Sequence, residues 1–347
     1  MRAIQLKGVG DLVQTEVPKP NIVAGQVLLR VTAAGICQTD VHIRRSTRRM
    51  IPDGTILGHE IAGEIVDIAD DVQRFSIGDQ VVVHPVWSCG ICRMCVAGQE
   101  NACRNTGGRF YPPPTPGVSV NGGMAEYVAV PSSALVPAAG LDPVFAAVLP
   151  DAGLVPYHSI EAAKDLLRPG ATVVVIGIGG LGQFAIELLR ELTGATVIAL
   201  DIKDDLLAAI KDKVSYAFRS DDPAVAAQVL KVTEGYGADV VFDIVGNTAT
   251  LALAAAVVAP YGAIRVPGLS NGVFQFEADQ LSTSLPWGAS ITRPYSGTHK
   301  NLHDLVALAK TGRIRANLTP YTFDQALLAL DDLEAGKING RAVIKMS

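Results

Sequence analysis

One stretch of this chain narrows its possible folds more than any other. The apolar run Thr172–Ile176 passes directly into Gly177-Ile178-Gly179-Gly180-Leu181-Gly182, and apolar residues then recur at helical spacing over 181–192. A G-x-G-x-x-G turn between a strand and a helix is the setting in which backbone can wrap a pyrophosphate. Gly177 permits the tight turn, Gly179 lets backbone approach the phosphates, and Gly182 lets helix and strand pack closely. Gly180 and Leu181 open the helix, whose free N–H groups and positive dipole end face the phosphates. A second strand at 196–200 ends in Asp201, 19 residues after Gly182. Its carboxylate can accept hydrogen bonds from ribose hydroxyls and would repel a 2′-phosphate, which favours NAD over NADP. An ordinary tight turn and a helix cap are the plain alternatives. The order strand, glycines, helix, strand, acid favours dinucleotide binding.

The rest of the second half keeps the same rhythm. Further strands are expected at 239–244 and 263–266, and helices at 204–213, 222–233 and 248–258. Alternation of this kind predicts a doubly wound parallel sheet with right-handed crossovers. The first half differs, with short β-type runs at 27–31, 61–66 and Gln80–Val83 punctuated by Gly, Pro and Asp. A helical pattern at 323–335 and a short strand at 341–346 close the chain. At roughly 150 residues per domain, 347 residues suggest two domains. The expected division is a β-rich domain over 1–152, to which 294–347 returns, and a nucleotide domain over 153–293. A net charge of −5 and 5% aromatic residues argue against a nucleic-acid binder. No signal-peptide core opens the sequence and no uninterrupted apolar run reaches membrane-spanning length. A cytoplasmic enzyme without membrane partners is the expectation.

Cys89, Cys92, Cys95 and Cys103 follow the spacing C-x₂-C-x₂-C-x₇-C. Four thiolates this close along the chain can enclose one tetrahedral zinc, and a closed shell leaves no position for substrate, so such an ion is structural. An iron–sulfur cluster and free buried thiols are the alternatives. The fifth cysteine, Cys37, lies about twenty residues before Gly58-His59-Glu60. A thiolate and an imidazole suit a second zinc. A third ligand must come from elsewhere, and Leu149-Pro150-Asp151-Ala152-Gly153 is a candidate.

Taken together, the Gly58-His59-Glu60 motif, the four-cysteine lobe, Gly123-Met124-Ala125-Glu126-Tyr127, the glycine turn and the tail Asn339-Gly340-Arg341-Ala342-Val343 resemble the zinc-dependent medium-chain alcohol dehydrogenases over essentially the whole chain. The resemblance implies an α/β enzyme with an N-terminal GroES-like catalytic domain and a Rossmann domain. It implies NAD and two zinc ions per chain, and a homo-oligomer, either dimer or tetramer. The family's catalytic zinc typically takes two cysteines and one histidine. Here the position of the second cysteine holds Asp151, so the implied ligands are Cys37, His59 and Asp151, with helix capping as the alternative role for Asp151. Glu60 and Asp40 are implied to support these ligands from behind.

The implied reaction is reversible oxidation of a secondary alcohol to a ketone or aldehyde, with hydride transfer to NAD. By the same resemblance Thr39 and His42 relay the proton to water, Arg341 contacts the pyrophosphate, and backbone near Val266, Leu269 and Ala289 meets the nicotinamide carboxamide. Ile43, Pro85, Trp287 and Tyr295 are the implied walls of the substrate pocket. The arginine run at 44–49 is either a solvated surface or a recruiter of anionic substrates. A polyol, hydroxy-acid or aldehyde dehydrogenase on the same scaffold is the alternative enzyme, and a catalytically silent zinc-stabilised regulator is the alternative outside catalysis.

Overall fold

A computed structural model describes residues 1–47, 51–279 and 283–346. The chain divides into two compact units, one of Met1–Leu154, Ser296–Gly312 and Ala316–Ser347, the other of Val155–Tyr295 and Arg313–Arg315.

The first unit opens with a hairpin of β1 (Arg2–Gly8) and β2 (Asp11–Glu16). There follow β3 (Gln26–Ile36), α1 (Gln38–Arg45), β4 (Glu60–Ile68), β5 (Gln80–Val83), the short α2 (Arg93–Val96), β6 (Tyr127–Pro131), β7 (Leu135–Pro137) and α3 (Pro143–Val148). Asp142 caps α3 by accepting the Val144 and Phe145 N–H groups, and Pro143 at the first helical position needs no partner.

α4 (Leu154–Glu161) leads into β8 (Thr172–Ile176), α5 (Gly180–Leu192), β9 (Thr196–Asp201), α6 (Asp204–Ala209), β10 (Tyr216–Arg219), α7 (Val225–Val232), β11 (Ala238–Asp243), α8 (Thr248–Val257), β12 (Val258–Arg265) and β13 (Ser290–Thr292). The sheet runs β10-β9-β8-β11-β12-β13 with every pair parallel. This is the doubly wound order 3-2-1-4-5-6, whose reversal between β8 and β11 opens a ligand crevice at the strands' carboxyl ends. Val173, Val174 and Val175 of β8 are fully buried, as expected of a strand covered on both faces. Several bounds differ from the sequence reading, among them the strand expected at 27–31, which runs Gln26–Ile36, and the helix expected at 222–233, which begins at Val225. The helix expected over 204–213 stops at Ala209, with a 3₁₀ turn at Lys211–Lys213, and the strand expected at 263–266 begins at Val258, directly after α8. Strand β13 is exposed along its length and pairs only with β12 among the described residues.

The chain then returns to the first unit with α9 (His299–Lys310), β14 (Leu318–Thr322), α10 (Ala326–Glu334) and β15 (Arg341–Lys345). Strand β15 pairs antiparallel with β3 and parallel with β14, so the first unit's sheet reads β14-β15-β3-β4-β5-β7, with β6 also on β3. Its core includes Ile4, Leu29, Ile36, Ile61, Ile65, Phe323 and Leu330. The register Ala342↔Ile36 and Gly35↔Glu60 brings Arg341 and Glu60 to the same end of the sheet, where β3 gives way to Cys37.

Candidate metal and nucleotide sites

Three chain ends meet at that edge of the first unit. Cys37 precedes α1, and its N–H donates to Asp40 Oδ2 at 2.8 Å, so the thiol is held by the helix's own first turn. Gly58, at φ +97°, has Met124 N 2.7 Å from where a Cβ would stand, and only glycine lets the chain swing His59 inward before β4 begins. Asp151 lies in a π-helical turn, Leu149–Gly153, between α3 and α4, and such a wide turn re-aims side chains out of helical register.

Cys37, His59, Glu60 and Asp151 each bring a ligand atom within 4.8 Å of the others. His59 Nε2 is 3.7 Å from Asp151 Oδ2. Zinc bond lengths put neighbouring N and O ligands of a tetrahedron about 3.4 Å apart, so a small contraction suffices. On the far side of the ring, His59 Nδ1 faces Asp40 Oδ1 at 3.8 Å, and both atoms are buried without a hydrogen-bond partner. A ligating imidazole ordinarily gives its second N–H to a carboxylate. The orphaned pair therefore fits metal binding through Nε2.

The electrostatics point the same way. Burial would lower His59, but Asp40 first, and then Asp151 and Cys37, hold it well above its ordinary value. Burial would raise Asp151, but His59 and Arg341 keep its carboxyl below the usual range. Burial, with help from the Asp151 charge, pushes Glu60 up to about 7 against the pull of Arg341. The Arg341 guanidinium donates to both Glu60 oxygens and, at 2.7 Å, to Asp151 Oδ2. Arg341, for which the resemblance implied a pyrophosphate contact, thus directs its guanidinium bonds to the carboxylates of the metal site.

Thr39 is half-buried, with its hydroxyl 3.7 Å from Cys37 Sγ, and His42 is exposed on α1. Ile43 and Pro85 are buried in the same unit. Trp287 and Tyr295, in the other unit, are exposed. Arg44 Nη1 lies 2.6 Å from Asp331 Oδ1, and Arg45 pairs with Glu334, so α10 engages both. That pairing disfavours the anion-recruiting reading for these two. Arg48 and Arg49 lie outside the described residues.

The four-cysteine lobe has Sγ–Sγ distances of 4.0 Å (Cys89–Cys95), 3.5 Å (Cys92–Cys95) and 3.9 Å (Cys92–Cys103). A tetrahedral zinc needs about 3.8 Å. The Cys89 and Arg104 N–H groups donate to Cys103 and Cys92 sulfurs, each at 3.4 Å. Burial raises the Cys103 thiol, but hydrogen bonds led by Thr106 outweigh it and pull the thiol down to about 5, whereas burial and the neighbouring sulfurs push Cys95 up to about 12, so without a cation the four thiols do not all favour the thiolate a metal requires.

In the second unit Gly177 stands at φ +92°, and its missing Cβ would lie 2.6 Å from Val245 Cγ2. A Cβ on Gly182 would lie 1.9 Å from the Gly177 carbonyl oxygen. Gly179, by contrast, faces open space, and no side chain caps α5 behind it. The first N–H groups of α5, from Gly180 and Leu181, are thus available to an anion. Asp201, at the end of β9, accepts the Ile178 N–H at 2.6 Å and the Lys203 N–H at 2.9 Å. It anchors the glycine turn to the second strand, a role the sequence did not signal. Val266 is buried at the end of β12, Ala289 is half-buried and Leu269 is exposed.

Comparison with known proteins agrees with this geometry. Residues 23–140 match the alcohol dehydrogenase GroES-like domain, and 180–310 match the zinc-binding dehydrogenase domain. An NAD-dependent alcohol dehydrogenase of Sulfurisphaera tokodaii is 31% identical over 99% of each chain. The chain belongs to the zinc-dependent medium-chain alcohol dehydrogenase family. It is an enzyme of NAD-dependent alcohol oxidation. The solved alcohol dehydrogenase of Aeropyrum pernix superposes with a TM-score of 0.91 at 30% identity, covering 99% of this chain and 100% of that one. A D-arabinose 1-dehydrogenase (NADP(+)) of Saccharolobus solfataricus is 31% identical over 94% of this chain and 92% of its own.

Sequence reasoning missed Gly35 in this family's site. A Cβ there would fall 1.8 Å from Glu60 Oε2, so the Glu60 carboxylate occupies the space a side chain would fill. Only the pairing of β3 with β4 reveals it.

Arg341 is the removable counter-charge. In metal-stripped enzyme Arg341→Leu leaves the buried Glu60 carboxylate without its cation and should cost about 3–5 kcal/mol. Glu60 in the fold, at about 7, sits above its ordinary 4.5. Its contribution is therefore full below 4.5 and lost as pH rises through 7. The variant's deficit, read from urea midpoints, should be larger at pH 8 than at pH 5.5. An equal deficit at both would refute the charge argument.

Proposed function

We propose that this enzyme interconverts a secondary alcohol and its ketone, with NAD as hydride carrier, at a catalytic zinc held by Cys37, His59 and Asp151. A second, structural zinc is held by Cys89, Cys92, Cys95 and Cys103. The observation that carries the reading is the convergence of a thiol, an imidazole and a carboxylate on one buried point, with Arg341 behind them. When bound, the catalytic zinc supplies Lewis-acid activation of the substrate oxygen, and NAD supplies the hydride acceptor.

The chain's own residues do the rest. Asp40 fixes Cys37 through its backbone and faces the His59 ring, so one carboxylate orients two ligands. Glu60, paired with Arg341, keeps a second carboxylate beside the three ligands. The Thr39 hydroxyl accepts the substrate proton as it releases its own toward His42, and the exposed His42 imidazole takes that proton and hands it to water. Gly177, Gly179 and Gly182 shape the pyrophosphate turn, Asp201 receives the adenosine ribose, and backbone near Val266, Leu269 and Ala289 meets the carboxamide. The D-arabinose relative supports a second reading, in which the substrate is a polyol or sugar.

The deciding experiment follows NADH absorbance across secondary alcohols, primary alcohols, aldoses and hydroxy acids, with NADP in parallel. Secondary alcohols with NAD should give the highest kcat/KM, and Asp201→Gly should narrow the preference for NAD. Highest activity on aldoses would replace the substrate reading. His42→Ala should lose activity mainly at low pH and regain it with added imidazole, and an unchanged pH profile would remove the relay.

Metal analysis should find two zinc ions per chain, and Asp151→Ala should lose one of them along with activity. Asp151→Ala retaining both ions would remove Asp151 from the ligand set.

The exposed edge of β13 supports pairing between copies of the chain. A monomer in sedimentation velocity at micromolar concentration would remove that part of the proposal.

A further inference from the structure

Asp243 is a fully buried carboxylate that no step above employs. It ends β11, opposite Ile176 in the β8 register, one residue before the glycine turn. Its Oδ1 accepts two backbone N–H groups, from Val245 at 3.1 Å and Gly246 at 2.9 Å. Its Oδ2 accepts the Thr250 hydroxyl at 2.8 Å. Thr250 in turn exchanges hydrogen bonds with Asn247, the cap of α8. One carboxylate therefore folds the whole 243–250 loop back on itself.

That loop touches the nucleotide machinery on two sides. The Val245 side chain stands against the α-carbon of Gly177, at 2.6 Å from where a Cβ would be. The other side holds the loop after β12. Ser270 N–H donates to the Val245 carbonyl at 3.2 Å, Gly272 N–H to the Gly246 carbonyl at 2.9 Å, and Gly268 N–H to the Asp243 carbonyl at 3.3 Å. Gly268 and Gly246 lie so close that a Cβ on Gly268 would fall 2.3 Å from the Val245 carbonyl carbon. The loop that Asp243 closes thus packs against the pyrophosphate turn, which Asp201 also anchors, and holds the 266–272 loop by backbone hydrogen bonds.

We infer that Asp243 is a positioning residue for the dinucleotide, holding the glycine turn and the 266–272 loop in the spacing that binds NAD. The inference rests on the NAD reading above. The carboxylate makes no contact with the cofactor and acts through backbone. Its two acceptor functions are separable. An asparagine retains Oδ1 for both N–H groups, and its amide can donate to a reoriented Thr250 hydroxyl. An alanine leaves the Val245 and Gly246 N–H groups without their acceptor, at a cost in each case comparable to a lost charged hydrogen bond, while the Thr250 hydroxyl keeps only the Asn247 carbonyl.

The test measures NADH dissociation constants by fluorescence on the zinc-loaded full chain. Asp243→Asn should bind NADH within about threefold of wild type, and Asp243→Ala about tenfold or more weaker. Zinc content should stay unchanged in both, as should kcat at saturating NAD within about threefold, so that the effect falls on cofactor affinity alone. Thr250→Val, which keeps both backbone bonds to Asp243 but removes the hydroxyl from Asp243 and from Asn247, should weaken NADH by about threefold, and it serves if Asp243→Ala does not fold. Asp243→Ala that is merely less heat-stable, with wild-type NADH affinity, overturns the inference. So does Asp243→Asn as impaired as Asp243→Ala, or Thr250→Val indistinguishable from wild type. Wild-type enzyme that binds no NADH overturns the NAD reading as well, which separates the two failures.

Discussion

Cys37, His59, Glu60, Asp151 and Arg341 share one buried space in which water cannot screen their charges. Bringing several acidic groups together at low dielectric is costly unless positive charge is brought with them. Arg341 supplies one fixed cation, and among the described residues its side-chain hydrogen bonds go to Glu60 and Asp151 while its charge also acts on Cys37. One cation does not balance the acidic groups gathered there. The metal-free fold answers by holding a proton on His59, against the effect of burial. A divalent ion answers better, since it satisfies sulfur, nitrogen and oxygen together. Much of the first unit's local structure serves to keep this crowding in place.

That service is visible in backbone rather than in side-chain choice. Gly35 is empty so that Glu60 can lie over it, and Gly58 turns left-handed so that His59 points inward. The π-turn at Leu149–Gly153 carries Asp151 out of the helical register of its neighbours. Each device costs conformational freedom or regular hydrogen bonding, and each is found beside a donor atom. Asp40 joins two of them, since its oxygens face the Cys37 N–H and the His59 ring.

The second unit solves a different problem with similar means. A pyrophosphate needs backbone N–H groups, so the loops that offer them must be held by something other than the ligand. Asp201 ties the turn to β9, and Asp243 closes the loop after β11, whose Val245 packs against Gly177. Both are carboxylates that accept backbone N–H groups at strand ends. Such bonds are stronger than neutral ones, which suits a turn composed largely of glycine.

The parallel sheet, the glycine turn and the cysteine lobe were legible in the chain because each is a local pattern. Apolar runs such as Thr172–Ile176, glycines at fixed offsets and four cysteines within fifteen residues need no distant partner to be recognised. The bounds of α6 and β12 were not legible, because packing decides where a helical or apolar pattern stops. Nor was the bonding of Arg341, 281 positions from Glu60, or the anchoring by Asp243. Sequence alone determined which residue types were available and how strands and helices alternate, since short-range periodicity and sterics set those. Only the tertiary structure decided which carboxylate meets which cation, because in a folded chain charge pairing follows distance in space.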